Sequence, residues 1–132
     1  MSALDDEQQD RVDRALADLA SFGRSAHRIV QRGEAAFLDS EDDLLRRAGR
    51  SVIVDVSAVA DRLPDAFAAR YPNVPWREIR ATRNRTAHEY DGVSDQIVWE
   101  TLRTHLPDLL RTLGVERPEP GRGPASSKAL PS

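Results

Sequence analysis

Cysteine is absent from this 132-residue chain, which excludes disulfides, thiolate metal sites and a cysteine nucleophile and leaves stability to packing. Histidine is sparse. His27, His88 and His105 lie far apart and show no HExxH spacing, so no metal site and no cofactor is expected. No apolar run approaches the roughly 18 residues that span a bilayer. The opening MSALDDEQQD is acidic, where a secretory leader would be basic and then apolar. A cytoplasmic protein without membrane contact is the expectation. An excess of positive charge is missing too: the net charge of −3 argues against a general, lysine-coated DNA binder, though it leaves room for a local basic site.

What is present describes one soluble globular unit, 39% hydrophobic and 31% charged. From Asp5 to Arg32, Val12, Leu16, Leu19, Phe22, Ala26 and Ile29 recur every three or four positions, the stripe of an amphipathic helix that Gly33 stops. Ser40-Glu41-Asp42-Asp43 reads as an N-cap followed by first-turn carboxylates. The helix it predicts carries Leu44/Leu45, Ala48, Val52, Val56, Val59 and Leu63 on one side. The β-branched run Ser51 to Val56 keeps helical spacing, so helix is preferred to strand. Leu63-Pro64 ends it, and Asp65 to Tyr71 can make about two turns.

Pro75 then opens another helix with Trp76 and Ile79 inward, and Asp91-Gly92 breaks it. Ser94 caps a last helix with Val98, Leu102, Leu106, Leu109 and Leu113 buried, which Pro107 should kink or split before Gly114 ends it. The expected fold is all-α, an antiparallel bundle of four to five helices spanning residues 1–114. Residues 115–132, rich in proline, glycine and serine, form an expected disordered tail.

One stretch carries chemistry. In PWREIRATRNRTAHEYDG, Arg77, Arg80, Arg83 and Arg85 crowd around His88, with only Glu78 against them until Glu89. Imidazole exchanges a proton near neutrality, and guanidinium matches phosphate oxygens. Such a pair can cleave RNA without metal: the imidazole takes the ribose 2′-hydroxyl proton, and arginine stabilises the charge on phosphorus. The same residues can equally form a solvated helix face paired to Glu89 and Asp91. Arg83 and His88, five positions apart, point about 140° apart on an ideal helix, whereas Arg83 shares a face with Tyr90. Assembling the pair therefore requires a break in the helix or a second subunit, and a symmetric dimer with facing motif helices is favoured.

Arg83, Asn84, His88 and Tyr90 together resemble the RxxxxHxY motif of HepT toxins in the HEPN superfamily. The resemblance extends to Leu63-Pro64, Arg70-Tyr71-Pro72, Pro75-Trp76-Arg77-Glu78-Ile79 and Val98-Trp99 with Leu106-Pro107, and covers roughly residues 10 to 114. It implies a helical homodimer with a composite cleft at its interface, a metal-independent endoribonuclease in which Arg83 and His88 are catalytic and Asn84 orients them. The implied setting is a type VII-like toxin-antitoxin system cutting tRNA or mRNA, with an MntA-like nucleotidyltransferase antitoxin that attaches AMP to Tyr90. A nucleotide there adds charge and bulk where the RNA backbone must lie. The chain departs from many relatives in one place, with Ser57-Ala58 where they carry Gly-Glu. That departure supports an alternative, a non-catalytic nucleotide- or partner-binding module, unless Asp55 or another carboxylate substitutes.

Further phosphate contacts are expected from Arg80 and Arg85, and from Arg24 and Arg28, which with Arg32 form a ridge on the first helix. His27 and His105 have no partner pattern and are read as surface or interface residues. Trp76 and Trp99 suit core or dimer packing better than base stacking.

Overall fold

The first helix is fixed at its start by a reciprocal cap. Asp5 Oδ1 accepts the Gln8 backbone N–H at 2.7 Å, and Gln8 Oε1 accepts that of Asp5 at 3.1 Å, satisfying two of the four amides a helix leaves free. In the computed structural model, which describes residues 3–83 and 92–115, this helix, α1, spans Asp6–Gln31. Val12, Leu19, Ala26 and Ile29 are buried as expected, while Leu16 and Phe22 are half-buried and Ala15 and Gly23 are buried as well. Gly33, at φ 92°, turns the chain into the single turn α2 (Glu34–Phe37). Phe37 is fully buried, its ring 5.2 Å from that of Trp99.

The second long helix, α3, spans Leu44–Arg62 and begins later than the sequence suggested. Ser40 is not its cap, and no carboxylate occupies its first turn. Instead Arg46 Nη1 donates to the carbonyls of Phe37 and Asp39 at 3.0 and 2.6 Å, holding the preceding loop against the helix. Asp39 and Asp42 side chains bond Glu41 N and Leu44 N within that loop, a local alternative to helix that these residues favour. The hydrogen bond from Arg47, four residues on, holds the Asp43 carboxyl below its usual range.

The β-branched run is helical and buries Val52, Ile53 and Val56. The two turns expected over Asp65 to Tyr71 shorten to one, α4 (Asp65–Ala68). Next come α5 (Trp76–Arg83) and α6 (Asp95–Glu100), the latter capped by Ser94 Oγ, which accepts from Gln96 N at 3.1 Å.

Pro107 neither splits nor ends the last helix. A π-helical turn at Thr101–His105 precedes α7 (Leu106–Thr112), and Leu106 N–H bonds Thr101 O five residues back. Proline lacks an N–H and crowds the carbonyl four residues before it, so a wider turn just ahead relieves the conflict. Gly114, at φ 78°, closes α7: its N–H reaches Arg111 O at 3.1 Å and Val115 N–H reaches Leu110 O at 2.8 Å, a Schellman arrangement. Val115, assigned to the tail by the sequence reading, packs into the core.

The described residues therefore form an all-α bundle with no strand among them. Arg62 at the end of α3 meets Asp18 at 3.6 Å, and Asp61 to Leu63 share a cleft with Gln8 and Arg11 near the start of α1, so the two long helices run antiparallel. Glycine sets how closely they approach the last helix. A Cβ on Gly23 would stand 2.5 Å from Leu110 Cδ1, and one on Gly49 2.7 Å from Leu102 Cδ1. No helix among the described residues is long and apolar enough to cross a membrane.

Candidate functional site

The site begins with the anchoring of α5. Trp76 Nε1 donates to the carbonyls of Ala68 and Tyr71, both at 3.1 Å, tying the first residue of α5 to the end of α4. Its ring is half-buried with the Arg80 guanidinium 5.7 Å from its centroid, so that face is taken by a cation. Trp99 is buried against Phe37. It is a core residue and cannot stack on a base. Ile79 is only half-buried, and α5 has no fully buried residue among those described, less inward than its sequence suggested.

From this anchored helix, one turn apart, Arg80 and Arg83 turn toward the α3–α4 corner. Arg83 Nε lies 3.4 Å from Asp61 Oδ2, with both side chains about half exposed. Arg80 Nη1 lies 3.8 Å from Asp65 Oδ1, while its Nε and Nη2 are buried without a hydrogen-bond partner. Asn84, Arg85, His88 and Tyr90 lie outside the described residues.

Asp61 is the residue that sequence reasoning missed. It stands one helical turn beyond Ser57-Ala58, at the three-to-four spacing that shares a face, and that spacing was the available signal. Ser57 itself is buried and bonds back to Ile53 O at 3.1 Å. Asp55 is exposed and has no ion pair among the described residues, so the carboxylate that reaches Arg83 is Asp61.

Two depressions flank this corner. A polar cleft of about 770 Å³ is bounded by Arg11, Arg14 and Asp18 of α1 and by Asp61, Arg62 and Asp65. Along α5 lies a groove of about 810 Å³, lined by Val56, Val74, Ile79, Ile97 and Leu109 and bordered by His105. Ile97 is 58% exposed within it.

Arg24, Arg28 and Arg32 are exposed on the other half of α1, beyond the residues that line the polar cleft. His27 sits with its Nε2 buried and unpartnered.

A clamp secures the start of α6. Arg50 donates from Nη2 to Val93 O and pairs through Nη1 with Asp95 Oδ1 at 2.8 Å. Arg46 reaches the other oxygen of Asp95 at 3.5 Å. The two arginine side chains are only 13% and 14% exposed, whereas Asp95, which they share, is 45% exposed, so the guanidinium groups depend on this carboxylate while solvent screens part of the attraction.

A family model described as Ribonuclease HepT-like matches residues 7–115. Among curated proteins, one described as "Putative RNase TTE0752", from Caldanaerobacter subterraneus subsp. tengcongensis, is 35% identical over 69 residues, 52% of this chain and 62% of its own length. "Probable ribonuclease HepT" of Thermococcus cleftensis is 30% identical over 54 residues, 41% of this chain and 49% of its own. The chain thus spans about half the length of these relatives. No solved structure matches it.

Proposed function

The chain belongs to the HepT-like ribonuclease family, and on that footing we propose that it is a metal-independent endoribonuclease toxin acting on cytoplasmic tRNA or mRNA. The observation that carries the reading is the pairing of Arg83 with Asp61 at the rim of a polar cleft. The Asp61 carboxylate, 3.4 Å from Nε, draws the guanidinium toward the cleft wall by charge, and a group that must meet developing charge gains from such placement.

The reaction needs no redox partner. Neutral His88 removes the 2′-hydroxyl proton, the 2′-oxygen forms its bond to phosphorus, and the bond to the 5′-oxygen breaks, that oxygen leaving with a proton. Arg83 balances charge on the phosphoryl oxygens, and Asn84 orients the pair. The products are a 2′,3′-cyclic phosphate and a 5′-hydroxyl. Arg80 and Arg85 meet neighbouring phosphates, with Arg24 and Arg28 available to a longer strand.

The arginine and imidazole come from two copies of the chain. The apolar groove beside α5, with Ile97 58% exposed in it, offers a surface on which a second copy can pack. Regulation falls on Tyr90, to which an MntA-like nucleotidyltransferase antitoxin adds AMP. Co-expression with an active transferase should raise the intact mass by whole AMP units, and Y90F should abolish the increase.

The deciding experiment is cleavage by purified protein free of antitoxin, in EDTA, with the ends identified chemically. Cyclic phosphate ends, lost in H88A at equal folding, are the expected result. The Ser57-Ala58 departure favours a second reading, a non-catalytic module. Under it, RNA or nucleotide binding depends on Arg83 while no cleavage occurs.

A further inference from the structure

We propose that Arg11 and Arg14 form a phosphate-binding rail that guides the RNA strand to Arg83, a substrate subsite apart from the reacting groups. It rests on the ribonuclease reading above. The cleft they line also has Asp61 in its wall, and Asp61 is the partner of Arg83. Arg83 is not itself in the lining, but a strand along the N-terminal half of α1 that follows the cleft reaches the Asp61 wall against which Arg83 is paired. At about 770 Å³, the cleft falls within the range of roughly 300–1,000 Å³ typical of ligand sites.

Charge pairing singles out these two residues. Each carboxylate in the wall already faces an arginine: Asp18 faces Arg62 at 3.6 Å, Asp61 faces Arg83 at 3.4 Å and Asp65 faces Arg80 at 3.8 Å. Arg11 and Arg14 have no ion-pair partner within 4 Å among the described residues. Asp10 and Asp13, on the same helix, do not line the cleft, and Asp13 instead accepts from Gln9 Nε2 at 3.0 Å. The local excess is thus cationic on a chain of net charge −3.

Three positions apart, Arg11 and Arg14 are neighbours on one helix face, an arrangement suited to successive phosphates of one strand. Each presents a permanently charged fork of donors. Both are exposed, so a phosphate replaces only water and small counterions, whose release drives binding.

The test compares wild type with R11Q/R14Q, exposed changes that should leave the circular dichroism unaltered. The substrates are a dinucleotide and an oligoribonucleotide long enough to follow α1. For the oligonucleotide, KM should rise about tenfold with kcat within about twofold, and the slope of log KM against log salt should fall by about 1.4, since each single-strand phosphate contact adds about 0.7. Kinetics on the dinucleotide should not change.

R103Q/R111Q removes the same charge from arginines paired within their own helix to Glu100 and Asp108, and should leave KM unaltered. An unchanged KM and salt slope in R11Q/R14Q beside an active wild type overturns the rail and leaves the ribonuclease reading intact. An equal rise in both double variants overturns it as well. A wild type inert on every RNA removes the reading on which the rail depends.

Discussion

At the scale of single residues, an arginine near a scissile phosphate contributes according to how firmly its guanidinium is held. Arg83 is long and about half exposed, so its own backbone restrains it little. The Asp61 carboxylate, 3.4 Å from its Nε, draws the guanidinium to one side by charge. D61N should therefore lower kcat on RNA about tenfold while leaving KM within about twofold, because a small misplacement is costly mainly in the transition state. D61E should recover part of the loss. An exposed pair of this kind is worth only about 0.2–1 kcal/mol to folding, so urea denaturation should barely separate the variants. A kcat unaltered in D61N would show that Arg83 is oriented by something else.

Asp61 also marks where sequence reading stops. Arg83 was legible as a motif residue because its neighbours in the chain give it meaning. Asp61 lies 22 positions earlier, and its relevance comes only from the way α3 meets α5. Hydrophobic spacing predicts that the two helices pack, but not which polar residues meet at their margins. Arg11 and Arg14 escaped for the same reason, whereas Arg24 and Arg28 drew notice because their spacing makes a visible ridge.

The elements themselves followed from spacing wherever a long stripe existed. Both long helices and the last one were readable in that way, and the β-branched run stayed helical because the stripe continues through it. The details that differed have tertiary causes. Near Ser40 several side chains could cap, and the start of α3 is decided by Arg46, whose reach to Phe37 O and Asp39 O fixes the loop. The π-helical turn before Pro107 likewise answers a local clash within a helix that the core keeps continuous.

Close approach at glycine is the clearest case at this scale. Gly49 looks like a weak point in a helix until α3 meets Leu102 and Phe37, both essentially buried. G49A gains helix propensity of about 1 kcal/mol, yet its methyl group would meet Leu102 Cδ1 at 2.7 Å and Phe37 Cε1 at 3.1 Å. Both side chains are essentially fully buried, and overpacking commonly costs about 1–3 kcal/mol. The urea midpoint should therefore fall. A midpoint that rises would mean that the last helix shifts freely, and that the glycine does not set the spacing.

For the whole molecule, the decisive question is how many chains make one site. On an unbroken helix Arg83 and His88 diverge by about 140°, and the apolar groove beside α5 leaves Ile97 exposed. Under the proposed reading, a twofold partner laid in that groove would both cover Ile97 and supply the missing group. Two changes on the groove, I97K and L109E, should give monomers in sedimentation with their helical signal kept and their cleavage lost. Monomers that still cleave would sever activity from assembly.

Mixing separates the possibilities further. R83A and H88A should each be inert. If each site takes Arg83 from one chain and His88 from the other, a mixed dimer has one site lacking both groups and one intact site. Equal amounts, exchanged to equilibrium, should then recover about a quarter of wild-type activity, because about half the dimers are mixed and each has one working site of two. If both groups come from the same chain, every site in the mixture lacks one of them. A mixture that stays inert, with mixed dimers demonstrated by native mass spectrometry, would place the whole reaction within one subunit and require a break in the motif helix to bring the two groups together.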